Sequence, residues 1–72
     1  MSLRQRDKRF GVIALEEKFI TVDQLVGAIR VQVKEEVEEG RHRLIGNILF
    51  DQGILIMDQI NQVLKIIEAS KE

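Results

Sequence analysis

The sequence contains no cysteine, proline, tryptophan or tyrosine. Without cysteine it can form neither a disulfide nor a thiolate metal site, so folding has to depend on packing. Phe10, Phe19 and Phe50 are its three aromatic residues, which predicts an aliphatic core with few rings. The lack of proline, with only five glycines, favours helices, because β-rich folds usually need more turn residues.

Long apolar runs and a strong net charge are also missing. No stretch approaches the roughly 20 apolar residues of a membrane span, and no N-terminal run is typical of a signal peptide. The net charge of −1 provides no general attraction to nucleic acid or anionic lipid. With 44% hydrophobic and 32% charged residues, the 72 residues predict one small globular domain, 1–72, that is cytoplasmic and not inserted in a membrane.

Residues that could carry catalysis are scarce. His42 is the only histidine and lies between two arginines in a predicted loop. Glu35 and Glu36 are adjacent on a predicted helix and point apart, so they make a poor acid–base pair. No Gly-rich phosphate loop and no metal-ligand spacing is present. The sequence therefore predicts a protein that is not an enzyme and has no metal or cofactor.

The chain is an internal repeat with an offset of 35 residues. Identical residues at this offset are Gly11 and Gly46, Ile13 and Ile48, Asp23 and Asp58, and Gln24 and Gln59. Apolar positions also agree in phase, as in Phe10 and Ile45, Leu15 and Phe50, Leu25 and Ile60, Ala28 and Val63, and Ile29 and Leu64. This agreement predicts two similar units, at about 7–39 and 43–70.

The first unit is predicted to contain a short helix, a turn and a longer helix. Apolar spacing from Phe10 indicates a helix that ends near Lys18. Thr21 and Gln24 fit a capping box that opens the second helix, and Gly40 fits its C′ position. The stripe of this helix that we expect to face the core consists of Val22, Leu25, Val26, Ile29, Val33 and Val37.

The second unit repeats this order. A short helix carries Ile45, Ile48 and Leu49 and stops at Gly53, and a longer helix runs from about Met57 to about Ala69. Its predicted inward residues are Ile60, Val63, Leu64 and Ile67. Ile56 replaces the capping threonine, which costs the helix about 1 kcal/mol unless Asp58 partly offsets it through the helix dipole. Val31, Ile54 and Ile66 lie off the main stripes and hint at a dimer contact.

Together these patterns predict an all-α fold. Four helices form two tandem helix-turn-helix units, each with a short and a long helix, packed as a small pseudo-twofold bundle around one aliphatic core. The basic residues ahead of Phe10 are expected to form a frayed terminus: Arg4, Arg6, Lys8 and Arg9.

The repeated unit resembles the N-terminal (MshEN-type) domain of type II secretion and type IV pilus assembly ATPases. Units of that family read R-L-G-x-x-L-x-x-x-G-x-x-x-x-x-x-L-x-x-x-L-x-x-Q, normally in tandem, and several members bind cyclic di-GMP. Residues at the motif positions of the first unit are Arg9, Phe10, Gly11, Leu25, Ile29 and Gln32. Those of the second unit include Ile45, Gly46, Leu49, Gly53, Ile60 and Leu64.

The second unit departs from the family pattern at its polar positions. Leu44 stands where the family has arginine, and Ile67 stands where it has glutamine. In the first unit Ala14 replaces a leucine and Lys18 replaces the second glycine. The resemblance implies that Arg9, Gly11 and Gln32 could contact a phosphate or a base edge, whereas a pocket that needs both units would lose about half of its polar contacts.

Three functions remain open at this point. The first hypothesis is a non-enzymatic module that binds a partner protein or a second copy of itself. The second is a cyclic di-GMP sensor that uses the implied ligand residues, namely Arg9, Phe10, Gly11, Leu25, Ile29, Gln32, Gly46 and Gly53. The third, a DNA-binding helix-turn-helix, is the least expected, because the basic terminus has no interleaved aromatic residues.

Overall fold

The computed structural model describes residues 5–69, with side chains for 7–69, and contains four helices in this range. They are α1 (Gln5–Glu16), α2 (Val22–Glu39), α3 (Ile45–Asp51) and α4 (Met57–Ala69). No strand occurs between residues 5 and 69, so the predicted all-α fold is confirmed. The expected frayed terminus is wrong from Gln5 onward, because α1 begins there; Arg4 lies outside the described residues.

The helix ends follow the local chemistry of the repeat. Thr21 Oγ1 accepts a hydrogen bond from Gln24 N at 3.1 Å, and Gln24 Oε1 accepts one from Thr21 N at 2.9 Å. This pair is the predicted capping box. In the second unit Ile56 cannot accept, but Gln59 Oε1 still accepts from Ile56 N at 3.0 Å. Gln59 therefore keeps one of the two hydrogen bonds of the capping box, and the other is lost because Ile56 has no hydroxyl.

Left-handed residues follow α2 and both short helices. Gly40 has φ 68° at the C-cap of α2, and Gly53 has φ 76° after α3, as their positions predict. Lys18 has φ 63° and stands at the position equivalent to Gly53. The backbone geometry of the repeat is therefore kept even where the glycine is lost.

The buried core is built from equivalent positions of the two units. Four pairs of apolar residues at the 35-residue offset are buried in both units: Phe10 and Ile45, Ala14 and Leu49, Ile20 and Leu55, and Ala28 and Val63. Two further pairs combine a buried residue with a partly buried one: Ile48 with Ile13, and Ile60 with Leu25. The apolar frame that reveals the repeat in the sequence is thus the frame that forms the core.

The helices of the two units pack across each other. The principal contacts are those of α1 with α4, α2 with α3, and α1 with α3. If the two units are exchanged, α1 takes the place of α3 and α2 the place of α4. The α1–α4 contact then becomes the α3–α2 contact, and the α1–α3 contact is unchanged, as a pseudo-twofold arrangement requires. Each long helix therefore lies on the short helix of the other unit, and the two units share one core.

The prediction for the core-facing stripe of α2 is wrong for Val22, Val26 and Val37, whereas Leu25 and Ile29 pack against the core as predicted. The buried residues of this helix are Ala28 and Gln32, whereas Val22, Val26 and Val37 are 62%, 42% and 68% exposed. The helix has two neighbouring faces that could contact the core, and apolar spacing alone does not choose between them. The small side chain of Ala28 allows a close approach, and Gln32 finds buried hydrogen-bond partners. We call the set Val22, Val26, Ile29, Val33 and Val37 the valine face.

Other corrections concern single apolar residues. Leu64, predicted to face inward, is 47% exposed, and the ring of Phe50 is 43% exposed. Val31 and Ile54, expected to lie off the core, pack against it. These shifts have the same cause, because each helix packs on a neighbour that the periodicity of its own sequence does not specify.

Candidate functional site

The glycines of the motif are points of close helix packing. A Cβ atom at Gly11 would lie 3.0 Å from Leu25 Cδ1, and one at Gly46 would lie 2.9 Å from Phe10 Cζ. Gly11 is therefore covered by Leu25 and Gly46 by Phe10. A phosphate that approached either backbone would have to displace the covering side chain. Gly53 is exposed and serves as the left-handed residue after α3.

Gln32 belongs to a buried polar cluster that also contains Asp7. Gln32 Nε2 donates to Asp7 Oδ2 at 2.7 Å and to the Arg43 carbonyl at 2.9 Å. Ile45 N donates to Asp7 Oδ1 at 3.1 Å. Asp7 is 1% and Gln32 5% exposed. Because an amide nitrogen has two hydrogens, the donors of Gln32 are both used within the fold.

The cluster is present in one unit only. Positions equivalent to Asp7 and Gln32 in the second unit are the exposed His42 and the partly buried Ile67. The sequence reasoning noticed Gln32 but missed Asp7. A usable signal exists, because Asp7 precedes Phe10, Gly11 and Ala14 by helical spacing and so shares their buried face of α1.

Arg43 joins the end of α2 to the end of α3. Its Nε and Nη2 atoms donate to the two carboxylate oxygens of Glu35, each at 2.9 Å, and Nη1 donates to Asp51. The hydrogen bond from Arg43 lowers the pKa of Glu35, against the opposing effect of burial. The same two carboxylates raise the pKa of Arg43. The arginines after α2 thus compensate acidic residues at its end, with Arg41 on Glu39 as a further ion pair, and the His42 ring contacts Glu36 at 3.2 Å.

The motif positions of the second unit converge on a small apolar crevice between α1, α3 and α4. Its lining residues are Asp7, Phe10, Leu44, Gly46, Asn47, Ile60, Leu64 and Ile67. Leu44 and Ile67 make this crevice apolar where the resembled family has arginine and glutamine. Its volume is about 90 Å³, below the ~150 Å³ of a cavity that binds benzene and far below a typical ligand pocket. The crevice has room for an aliphatic side chain and no room for a dinucleotide.

The motif residues of the first unit are not brought together in this way. Arg9 is half-buried on α1 beside a shallow depression shared with Lys8, Val12 and Ile13. Leu25 covers Gly11, and Ile29 is partly buried at the edge of the core. Gln32 lies in the buried polar cluster. Arg9, Gly11 and Gln32 therefore have three separate surroundings.

The valine face borders a broad, open depression along α2. Its lining residues are Ile29, Arg30, Val33, Lys34, Val37 and Glu38, and its volume is about 420 Å³. Asp23, Arg30 and Lys34 are exposed beside the valines. This surface is an apolar strip with a charged border, which is the arrangement found at protein interfaces.

Neither a metal site nor a membrane-spanning helix is present in the part of the chain that the structure describes. No group of three or more potential metal ligands occurs among these residues. None of the described helices has the length and apolar character needed to cross a membrane. Comparison with family models, with curated proteins and with solved structures gave no match.

Proposed function

We propose that this protein is a non-enzymatic protein–protein interaction module that binds through the valine face. The exposure of that face carries the proposal. Val22, Val26 and Val37 each expose more than two fifths of their surface, although the same helix buries Ala28 and Gln32 on its other side. Single exposed apolar residues are ordinary, but an apolar strip that follows one helix face marks an interaction surface.

The shape of the surface favours a helical or extended protein segment as the occupant. The strip runs along all of α2, whose 18 residues span about 27 Å. It is bordered by charges of both signs, so a partner can bury apolar groups on the valines and pair its own charges at the rim. In this proposal the chain keeps the helical plan of the domain it resembles and binds protein in place of nucleotide.

The contacts support cyclic di-GMP binding less well. Gln32 uses both amide hydrogens inside the fold, Gly11 lies under Leu25, and the second-unit crevice is apolar and small. Calorimetric titration with cyclic di-GMP, with Arg9→Ala as control, measures this alternative directly. A heat of binding that the wild-type chain gives and Arg9→Ala does not would favour the cyclic di-GMP sensor over the protein–protein interaction module.

Capture followed by reconstitution tests the proposed function. The wild-type chain, a Val26→Lys/Val33→Lys variant and a Gln52→Lys/Asn61→Lys control are immobilised as baits, and retained proteins are identified, purified and titrated individually. The control adds the same charge at exposed positions outside α2. We expect wild type and control to bind a purified partner equally, and the valine-face variant to bind at least about tenfold more weakly. Equal affinity of all three chains for every partner would contradict the proposal.

A further inference from the structure

We infer that the valine face binds the valine face of a second copy, with the two α2 helices antiparallel. This inference rests on the proposed function, since it names the occupant of the same surface. Two observations carry it: the spacing of the valines of the valine face along α2, and the position of the charges on one border of that face.

The valines of the valine face are spaced symmetrically along the helix. Val22 and Val26 are four residues apart, as are Val33 and Val37, and the midpoint lies between Ile29 and Arg30. An antiparallel copy that crosses at this midpoint places Val22 against the partner's Val37, and Val26 against the partner's Val33. The surface is therefore complementary to itself through a twofold axis, which closes the assembly as a dimer.

The charges beside the strip select the antiparallel orientation. Asp23 and Lys34 are eleven residues apart, which is about three helical turns, so they lie on the same border of the valine face. In the antiparallel dimer Asp23 comes within about 3 Å, measured along the helix axis, of the partner's Lys34, and the twofold axis repeats the pair. In a parallel dimer the twofold axis runs along the helices and places the two charged borders on opposite sides of the contact, so Asp23 would not meet the partner's Lys34. Exposed pairs of this kind contribute about 0–1 kcal/mol, so they set orientation more than affinity.

Arg30 lies on the same border next to the midpoint, so it faces its own copy in the antiparallel dimer and weakens that dimer. The two Asp23–Lys34 pairs act against this single repulsion. One helix face per copy is also a small contact compared with the 1,200–2,000 Å² that is typical of stable complexes. We therefore expect a weak dimer that forms at about 100 μM or higher concentration.

Cysteine pairing measures the orientation, because the natural chain has no cysteine to interfere. Val22→Cys and Val37→Cys are purified separately and oxidised alone and as an equal mixture. A disulfide requires Cα atoms within about 7 Å. We expect the mixture to form mixed-disulfide dimers much faster than either variant alone. Rapid linking of each variant to itself, with no gain in the mixture, would show a parallel pair and overturn the inference.

Sedimentation equilibrium measures the association itself. We expect wild type to dimerise, Asp23→Lys to weaken the dimer several-fold, and Asp23→Lys/Lys34→Asp to restore it. A wild-type chain that stays monomeric to near-millimolar concentration overturns the second copy as occupant. If a foreign partner then binds wild type and not Val26→Lys/Val33→Lys, the proposed function stands without the dimer. A dimer that survives Val26→Lys/Val33→Lys overturns the inference, because another surface then makes the contact.

Discussion

At the scale of single residues, Asp7 and Gln32 join parts of the chain that are far apart in sequence. Asp7 lies on α1 and Gln32 lies on α2. Their further partners among the described residues are the Arg43 carbonyl and Ile45 N, at the start of α3. Each polar atom that is buried here has a partner, and a buried group that loses its partner costs about 1–3 kcal/mol, or more if it is charged. The cluster therefore fixes how the first unit meets the second.

Replacing Gln32 by leucine should destabilise the protein by about 2–4 kcal/mol. The substitution removes both donated hydrogen bonds, which leaves Ile45 N as the partner of the buried Asp7 carboxylate among the residues that the structure describes. Urea unfolding followed by circular dichroism gives the free energy of unfolding. The matched control is Gln62→Leu, at an exposed position of α4, which should change stability by less than about 0.5 kcal/mol. Equal effects of the two substitutions would contradict a structural role for the cluster.

Replacing Lys18 by glycine should stabilise the folded protein. Its φ of 63° is in the left-handed region, which costs a residue with a side chain roughly 1–2 kcal/mol. Glycine avoids that cost but has a more flexible unfolded state, so we expect Lys18→Gly to raise the unfolding free energy by about 0.5–1 kcal/mol. Lys34→Gly, in the interior of α2, should lower it by about 1 kcal/mol. A thermal melt in which both variants are destabilised would contradict the assignment at Lys18.

At the scale of secondary-structure elements, the two long helices differ in how they begin. The capping box of α2 is complete, whereas α4 has only the half that Gln59 provides. Gln59 N donates to the Ile56 carbonyl at 3.1 Å. Ile56→Thr should offer it a hydroxyl acceptor, as Thr21 does for Gln24 N, and stabilise the protein by about 0.5–1 kcal/mol. Ile56 is 59% exposed, so little packing is lost. Thr21→Ala removes the hydroxyl acceptor from the capping box of α2 and should lower the unfolding free energy by about 1 kcal/mol, measured by urea denaturation. If neither Ile56→Thr nor Thr21→Ala changed the unfolding free energy, the caps would not limit helix stability.

The end of α2 should make stability depend on acid pH. Arg43 holds the pKa of Glu35 below its ordinary 4.5, so the folded state binds this proton more weakly than the unfolded state does. The resulting stability is present above pH 4.5 and is lost as the pH falls through the lowered value. Melting temperatures of wild type and Glu35→Gln should therefore differ near neutral pH and converge in acid. A difference that stays constant through the acid range would argue against the Arg43 bridge.

At the scale of the whole molecule, the sequence repeat predicts much of the fold. Pairs such as Phe10 with Ile45 and Ala28 with Val63 are conspicuous in the sequence and are buried together in the structure. The four helices and the stops at Gly40 and Gly53 follow from local chemistry that a single chain displays. These features depend on neighbours a few residues away, which is why they can be predicted.

The sequence does not predict in the same way which face of each helix packs against the core. Periodicity identifies an apolar stripe but does not say what lies opposite it, and α2 has two possible faces. The core takes the face with Ala28 and Gln32 because the partners of Gln32 come from α1 and from the start of α3. Asp7 was missed for a related reason: it stands among basic residues that suggest a frayed terminus, and its partners lie 25 and 38 residues away. The binding surface is therefore a consequence of tertiary packing.

The most direct test of an outward valine face is the unfolding free energy of Val26→Lys/Val37→Lys, measured beside Ala28→Lys at low micromolar concentration, where self-association contributes little. The two valines are exposed, so lysine at both positions should change stability by less than about 1 kcal/mol. Ala28 is fully buried, and an unpaired ammonium there should cost several kcal/mol or prevent folding. If Val26→Lys/Val37→Lys were as destabilising as Ala28→Lys, the valine face would belong to the core and could not be a binding surface.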